Sequence, residues 1–292
     1  MSNTDLIIPE RSRDIGDFLV GRLLPFRKKR MVGPFIFIDH MGPTQLGPNH
    51  YMDVDQHPHI GLATLTFLLE GEVEHRDSLG TQQIIRPGSV NWMVAGSGVS
   101  HTERTPAHLR NGNIFTVHGY QIWVALPKDL EKVEPSFHHF DSDDLPQWQD
   151  GPNQWKLVAG EAFGRKSPVP VHSPLFMLEL NCETDSEIDL QGQLKGEIGI
   201  CVVEGKVWAC DQEVEAGNLL VSKDENACKL KIAANSHILF FGGEAFPESR
   251  NIYWNFVSSE TQLIEEAKEK WQQHDWPKVD GDSSYVPLPE IS

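Results

Sequence analysis

Two short strings of this sequence carry side chains that could hold a metal ion. The first is Asp55-Gln56-His57-Pro58-His59-Ile60-Gly61, and the second is Gly96-Ser97-Gly98-Val99-Ser100-His101-Thr102-Glu103. In a β-strand, side chains at i and i+2 share a face, so His57 and His59 project together, and so do His101 and Glu103. If the two strands lie side by side in a barrel, three imidazoles and one carboxylate converge inside it. Such a nitrogen and oxygen set leaves coordination positions open and suits a first-row divalent cation. Three neutral imidazoles and one carboxylate leave a net charge of about +1 on the site, which favours an anionic oxygen donor in the open positions. The cation would also lower the pKa of a hydroxyl bound to it. Between the strings, Arg86-Pro87-Gly88 makes a turn, and the glycines of the second string let the backbone bend into its strand.

The elements that must position these residues read as strands. Apolar alternating runs (FLVGRLLPF, GPFIFIDHMGP, ATLTFLLEGEVEH, TQQIIRPGSVNWMVAG, GYQIWVALP) recur between Gly, Pro, Asn and Asp punctuation. Short strands at regular spacing predict a barrel or sandwich, and the lack of helix-period segments between them argues against a parallel α/β sheet. The polar, acidic stretch KDLEKVEPSFHHFDSDDLPQWQDGPNQW reads as a connection, after which a second all-β pattern follows. LLEGEVEH resembles VVEGKVWAC, and RPGSVNWMV resembles EAGNLLVS, which suggests two copies of one β-fold. The expected division is a metal-binding barrel over 1–135, a connector over 136–160, and a second barrel with a C-terminal helix over 161–292. That helix is expected in TQLIEEAKEKWQQH, capped by Ser258-Ser259, with Leu263, Ala267 and Trp271 on one face.

The 292 residues hold 25 Lys and Arg against 42 Asp and Glu, a formal charge of −17, which argues against a nucleic-acid surface. The one basic cluster, Arg27-Lys28-Lys29-Arg30, reads as a solvated turn. No apolar stretch reaches the ~18 residues of a membrane span. The segment MSNTDLIIPERSRD lacks the apolar run of a secretory signal, so a cytoplasmic location is expected. Cys182, Cys201, Cys210 and Cys228 form no C-x-x-C pair and read as reduced, packed thiols. Ten of the 13 histidines lie between His40 and His139, so chemistry is expected in the first half alone. His172 and His237 stand isolated, and no second metal site is expected. His138-His139 reads as solvated, His40 as structural, and His75 with Asp77, which share one strand face and could sit near a pocket mouth, as packed or surface residues.

The two metal-binding strings resemble the two motifs of a cupin, a small β-barrel that holds a metal among strand residues. GPFIFIDHMGP, HPHIGLATLTFLLEGEVEHRDSLG and RPGSVNWMVAGSGVSHTE resemble the pirins specifically, as does YWNFVSSETQLIEEAKEKW near the end. The resemblance implies an all-β protein of two tandem cupin barrels, a bicupin, with one iron site in the first barrel and a degenerate second barrel. It places the metal ligands on His57, His59, His101 and Glu103. Many cupins have a glutamate shortly after H-x-H, but this chain reads Gly61-Leu62-Ala63-Thr64 there. The small Ala63 side chain is expected to leave room above the ion.

Proteins similar to pirins open flavonols such as quercetin with dioxygen and release carbon monoxide. The resemblance therefore implies a metal-dependent dioxygenase whose partners are a flavonol-type small molecule and O2. It also implies one divalent ion per chain, iron(II) first among the first-row metals. Glu103 is the candidate catalytic residue, because a carboxylate ligated through one oxygen keeps the other free to accept the substrate proton. The competing expectation is a redox-sensitive regulatory protein acting through a protein partner, which nothing in the sequence identifies.

Overall fold

A computed structural model describes residues 4–14, 19–48, 50–209, 212–222 and 229–289. Two β-barrels, as the strand periodicity predicts, one α-helix, Thr261–Gln272, and three single-turn 3-10 helices account for most of the described elements. The chain does not divide sequentially. One compact unit takes residues 13–20, 40–142 and 247–292, and the other takes 1–12, 21–39 and 143–246.

In the first unit, one sheet runs in the order Asp53–His59, Val99–Arg104, Val73–Asp77, Gln82–Ile85. The strands Ser136–Phe140, Val90–Val94, Leu62–Glu70 and Phe115–Ala125 follow one another in a second sheet. Val73–Asp77 buries alternate residues, Val73, His75 and Asp77, as a strand with one covered face must. Leu62–Glu70 opens with seven buried residues in a row, because both of its faces are covered. The Arg86-Pro87-Gly88 turn closes with the Ser89 amide donating to the Arg86 carbonyl at 3.1 Å, and Gly88 adopts φ +76°. Val20, Met41, Leu46, Met52, Leu68, Val73, Ile85 and Val117 form an apolar plug in this unit.

Residues 136–140, expected in the connector, form an edge strand of this unit, paired in register with Val90–Val94. His138 and His139 are half-buried there, and His139 Nδ1 lies 2.7 Å from Asn91 Oδ1. The C-terminal helix also belongs to this unit, not to the second barrel. Its buried stripe is Ile264, Ala267 and Trp271, with Leu263 only packed beside it. Ser258 and Ser259 do not cap the helix through a side chain; their hydroxyls bind Glu131, and Ser258 Oγ accepts the Glu260 amide. The tail beyond the helix covers the free edge of Asp53–His59. There Gln56 Oε1 accepts the Val279 amide and the Gln56 carbonyl accepts the Val286 amide.

In the second unit, one sheet runs Thr4–Pro9, Asn218–Ser222, Glu197–Glu204, Ser236–Gly243, Leu175–Cys182, Asn153–Ala162, Gln147–Asp150. A smaller sheet runs Ser186–Ile188, Leu230–Ile232, Lys206–Ala209, Gln212–Glu215. Their inner faces meet in one hydrocarbon core that includes Leu157, Phe176, Leu178, Ile198, Ile200, Val202 and Phe240. Phe26 and Lys29 close the basic cluster as a tight turn, and Lys29 pairs with Glu197. Cys182 and Cys201 are buried, whereas Cys210 and Cys228 lie outside the described residues.

Candidate metal centre

Three neighbouring strands of the first unit build the site. Antiparallel pairing sets His57 opposite His101 and His59 opposite Val99 on one side, and Asp77 opposite His101 and His75 opposite Glu103 on the other. Residues directly opposite each other share a face, so all six chemical side chains point into the barrel. A bulge between His101 and Glu103 shifts the register on the His57 side. The loop that delivers this strand turns at Gly96, where φ is +49° and an added Cβ would stand 1.9 Å from the Val133 carbonyl oxygen. Only glycine fits that position.

One ligand atom each from His57, His59 and His101 lies within 4.8 Å of the others, and all three residues are buried. His59 Nε2 is 3.1 Å from His101 Nε2. His57 Nδ1 donates to the Asp55 carbonyl at 2.8 Å, so the ring's other nitrogen is bare. Burial lowers the His57 pKa to about 4, and burial first, then the neighbouring rings, holds His59 and His101 well below the ordinary histidine value. The three rings are therefore neutral at pH 7, each with one lone pair to offer. Imidazole nitrogens gathered this closely in a dry interior fit a cation among them, with one lone pair from each neutral ring as donor.

Glu103 falls in a second group, with His75 and His101, whose ligand atoms also lie within 4.8 Å of one another. The four expected ligands thus divide into two groups that share His101. Burial pushes the Glu103 carboxyl above its ordinary value, against the opposing effects of His75 and the Thr66 hydroxyl. Thr66 Oγ1 stands 3.3 Å from Glu103 Oε1 and 2.9 Å from Gln121 Oε1.

That contact fixes which face of Leu62–Glu70 looks inward. Thr66 and, two residues back, Thr64 face the site, so Ala63 faces away and leaves no room above an ion. The expectation for Ala63 is corrected by this register. Across the same sheet, Phe137, Met93, Thr64 and Trp123 are successive partners in one inward row, and His139, Asn91, Thr66 and Gln121 in the next. Trp123 meets His59 edge-on at 5.2 Å, and Phe137 stacks on His75 at 4.6 Å. The wall opposite the imidazoles is therefore aromatic on one level and polar on the next.

His75 is the residue that sequence reasoning set aside. It is 3% exposed, its ring centroid lies 5.1 Å from that of His101, and its Nε2 is 3.0 Å from Asp77 Oδ2. The signal was present in Glu74-His75-Arg76-Asp77, a histidine and a carboxylate on one strand face, but the partner strand could not be read locally. His40 pairs with His118, with 2.8 Å between their Nε2 atoms, and stacks on Tyr120. In the second unit, His237 Nε2 lies 2.9 Å from Glu179 Oε1, with Lys156 Nζ 3.5 Å from the other carboxylate oxygen. Neither His172 nor His237 belongs to a metal-holding group among the described residues.

Comparison with known proteins agrees with this fold. The family model described as Pirin matches residues 18–124, and that described as Pirin C-terminal cupin domain matches residues 177–277. A pirin-like protein of Caulobacter vibrioides is 42% identical over 98% of this chain and 99% of its own length. A Pseudomonas aeruginosa protein provisionally named a quercetin 2,3-dioxygenase is 35% identical over 92% of this chain and 84% of its own. The crystal structure of quercetin 2,3-dioxygenase from Acinetobacter baumannii superposes with a TM-score of 0.90 at 33% identity, covering 98% of this chain and 95% of that one.

Proposed function

This chain belongs to the pirin family, and from that premise we propose that it is a metal-dependent dioxygenase that opens a flavonol-type ring with O2. The observation that carries the reading is the group of three buried imidazoles, each with a ligand nitrogen within 4.8 Å of the others. His57, His59, His101 and Glu103 are proposed to hold one divalent ion, iron(II) first. Iron(II) held there supplies Lewis acidity toward a ring hydroxyl and a redox partner for dioxygen.

The chain's own residues supply the rest. Glu103 accepts the proton of the ring hydroxyl on a carboxylate oxygen not used for the ion. Burial raises its affinity for that proton above that of an exposed glutamate. The Thr66 hydroxyl keeps the carboxylate oriented from the side. Trp123, Met93 and Phe137 give a flat polycyclic substrate an apolar wall to lie against. Burial of the site excludes water from the activated ring. In the overall reaction both atoms of O2 enter the products, one of which is carbon monoxide, so no outside reductant is needed.

The test is turnover of quercetin by purified, iron-loaded protein, followed as loss of flavonol absorbance together with oxygen uptake and carbon monoxide release. Turnover that disappears in Glu103→Ala supports the reading. An iron-loaded protein that neither consumes oxygen nor depletes quercetin would overturn it.

A further inference from the structure

Asp77, His75 and His101 form one hydrogen-bonded line. Asp77 Oδ2 meets His75 Nε2 at 3.0 Å, and His75 Nδ1 meets His101 Nδ1 at 3.2 Å. His101 Nε2, at the far end, is the nitrogen that faces His59. The other oxygen of Asp77 is already committed: Oδ1 accepts the backbone amides of Leu79 at 2.9 Å and Thr81 at 3.0 Å. His75 and Asp77 are 3% and 1% exposed, and Phe137 covers the His75 ring, so water does not interrupt the line.

We propose that Asp77 and His75 are positioning residues that set the direction of this line, and thereby leave His101 Nε2 bare for a metal ion. The direction follows from what each atom can do. An ionised carboxylate only accepts, so His75 Nε2 carries a proton and donates it. With one proton on the His75 ring, its Nδ1 is then a lone pair, and it accepts from His101 Nδ1–H. His101 has spent its single ring proton on that side, and its Nε2 faces the other rings unprotonated. This is the carboxylate–histidine arrangement by which outer residues orient a ligating imidazole, lengthened here by one ring. His75 therefore acts through His101, and its own Nδ1 is occupied. The inference rests on His101 as a ligand, and it does not depend on which organic substrate is used.

Two substitutions separate direction from packing. In Asp77→Asn the shape is kept, but the Leu79 and Thr81 amides hold the remaining oxygen, so the new NH2 group faces His75 Nε2. That forces a lone pair onto His75 Nε2, a proton onto its Nδ1, and a proton onto His101 Nε2, where a cation would sit. His75→Gln removes the ring but keeps a donor for Asp77 and an acceptor for His101 Nδ1. Binding of Co2+, measured by competition with a chromogenic chelator, should weaken by about 10–100-fold in Asp77→Asn. It should change less in His75→Gln, the less conservative replacement. Nitrogen-15 spectra of the Zn2+-loaded wild type should show the proton on Nδ1 of His101 and on Nε2 of His75. That measurement needs no variant to fold.

Asp77→Asn binding Co2+ as the wild type does, while His101→Ala loses it, would overturn the line and leave His101 a ligand. His75→Gln losing Co2+ as fully as His57→Ala would show His75 to be a ligand and overturn the line too. His101→Ala with wild-type Co2+ affinity would remove the premise itself.

Discussion

The two barrels repeat one small sheet with different contents. In the first, Asp53–His59, Val99–Arg104 and Val73–Asp77 lie side by side; in the second, Ser186–Ile188, Leu230–Ile232 and Lys206–Ala209 do so in the same order. Where His57, His101 and Asp77 face one another across the first sheet, Ile188, Leu230 and Ala209 face one another across the second. Where Glu103 faces His75, Ile232 faces Val207. The second barrel has filled the position of the candidate metal centre with hydrocarbon, and those side chains belong to its main core. One backbone arrangement thus serves two ends. Apolar residues there contribute burial energy, at roughly 25 cal/mol per Å² removed from water. The imidazoles and the carboxylate give up that gain, and Glu103 and the three rings carry shifted pKa values as a result.

The largest expected effect tests whether metal resides in the first barrel alone. His101→Ala should abolish tight metal binding, whereas His172→Ala and His237→Ala should leave it unchanged by elemental analysis. A second tightly held ion that disappears with His237 would break the comparison. Next comes the separation of holding from chemistry. Glu103→Gln keeps an oxygen that can coordinate but cannot take a proton at neutral pH. It should lose about 10²–10⁴ in flavonol turnover while retaining part of its metal. Turnover that falls only in proportion to metal content would remove Glu103 as the base.

A smaller effect concerns acid. His57 has a folded pKa of about 4, below the ordinary 6.5. Between those values the unfolded chain takes up a proton that the folded one refuses, so stability of the metal-free protein falls as pH drops through that window. The loss from this ring reaches about 3 kcal/mol at the acid end. Glu103, raised by burial, acts in the opposite sense just above its ordinary value of 4.5. Urea unfolding of wild type against His57→Gln, at pH 7 and near pH 5, isolates the histidine; equal pH slopes would contradict its depressed pKa. The smallest effect belongs to the second barrel. Ile232→Val should cost about 0.5–1.5 kcal/mol and leave metal content unaltered. A change in metal content there would show that the hydrocarbon sheet is not inert toward the site.

Much of the candidate site was legible because the two-residue strand period is local. His57 with His59, and His101 with Glu103, share faces by that period alone, and so do His75 and Asp77. The role of His75 was not legible, because it depends on Val73–Asp77 lying on the far side of Val99–Arg104 from Asp53–His59. The inward face of Leu62–Glu70 was misjudged for a similar reason. Alternation gives two faces but not which one is the interior, and the Thr66 contact with Glu103 decides it. Ser136–Phe140 looked like linker because the stretch around it is polar and acidic, as the surroundings of a half-buried edge strand can be.

The sequence by itself determined the all-β class, the repeated barrel, the four candidate ligands and the absence of equivalent donors in the second half. Each of these is written in residue types at short spacing. Only the tertiary structure decided that the C-terminal helix and tail belong with the first barrel, and that Glu103 groups with His75 as well as His101. The order of the strands and the line of contacts from His101 through His75 to Asp77 were decided there too. Those features depend on which backbone amides and carbonyls pair between residues far apart in the chain, and no local pattern of side chains specifies that pairing.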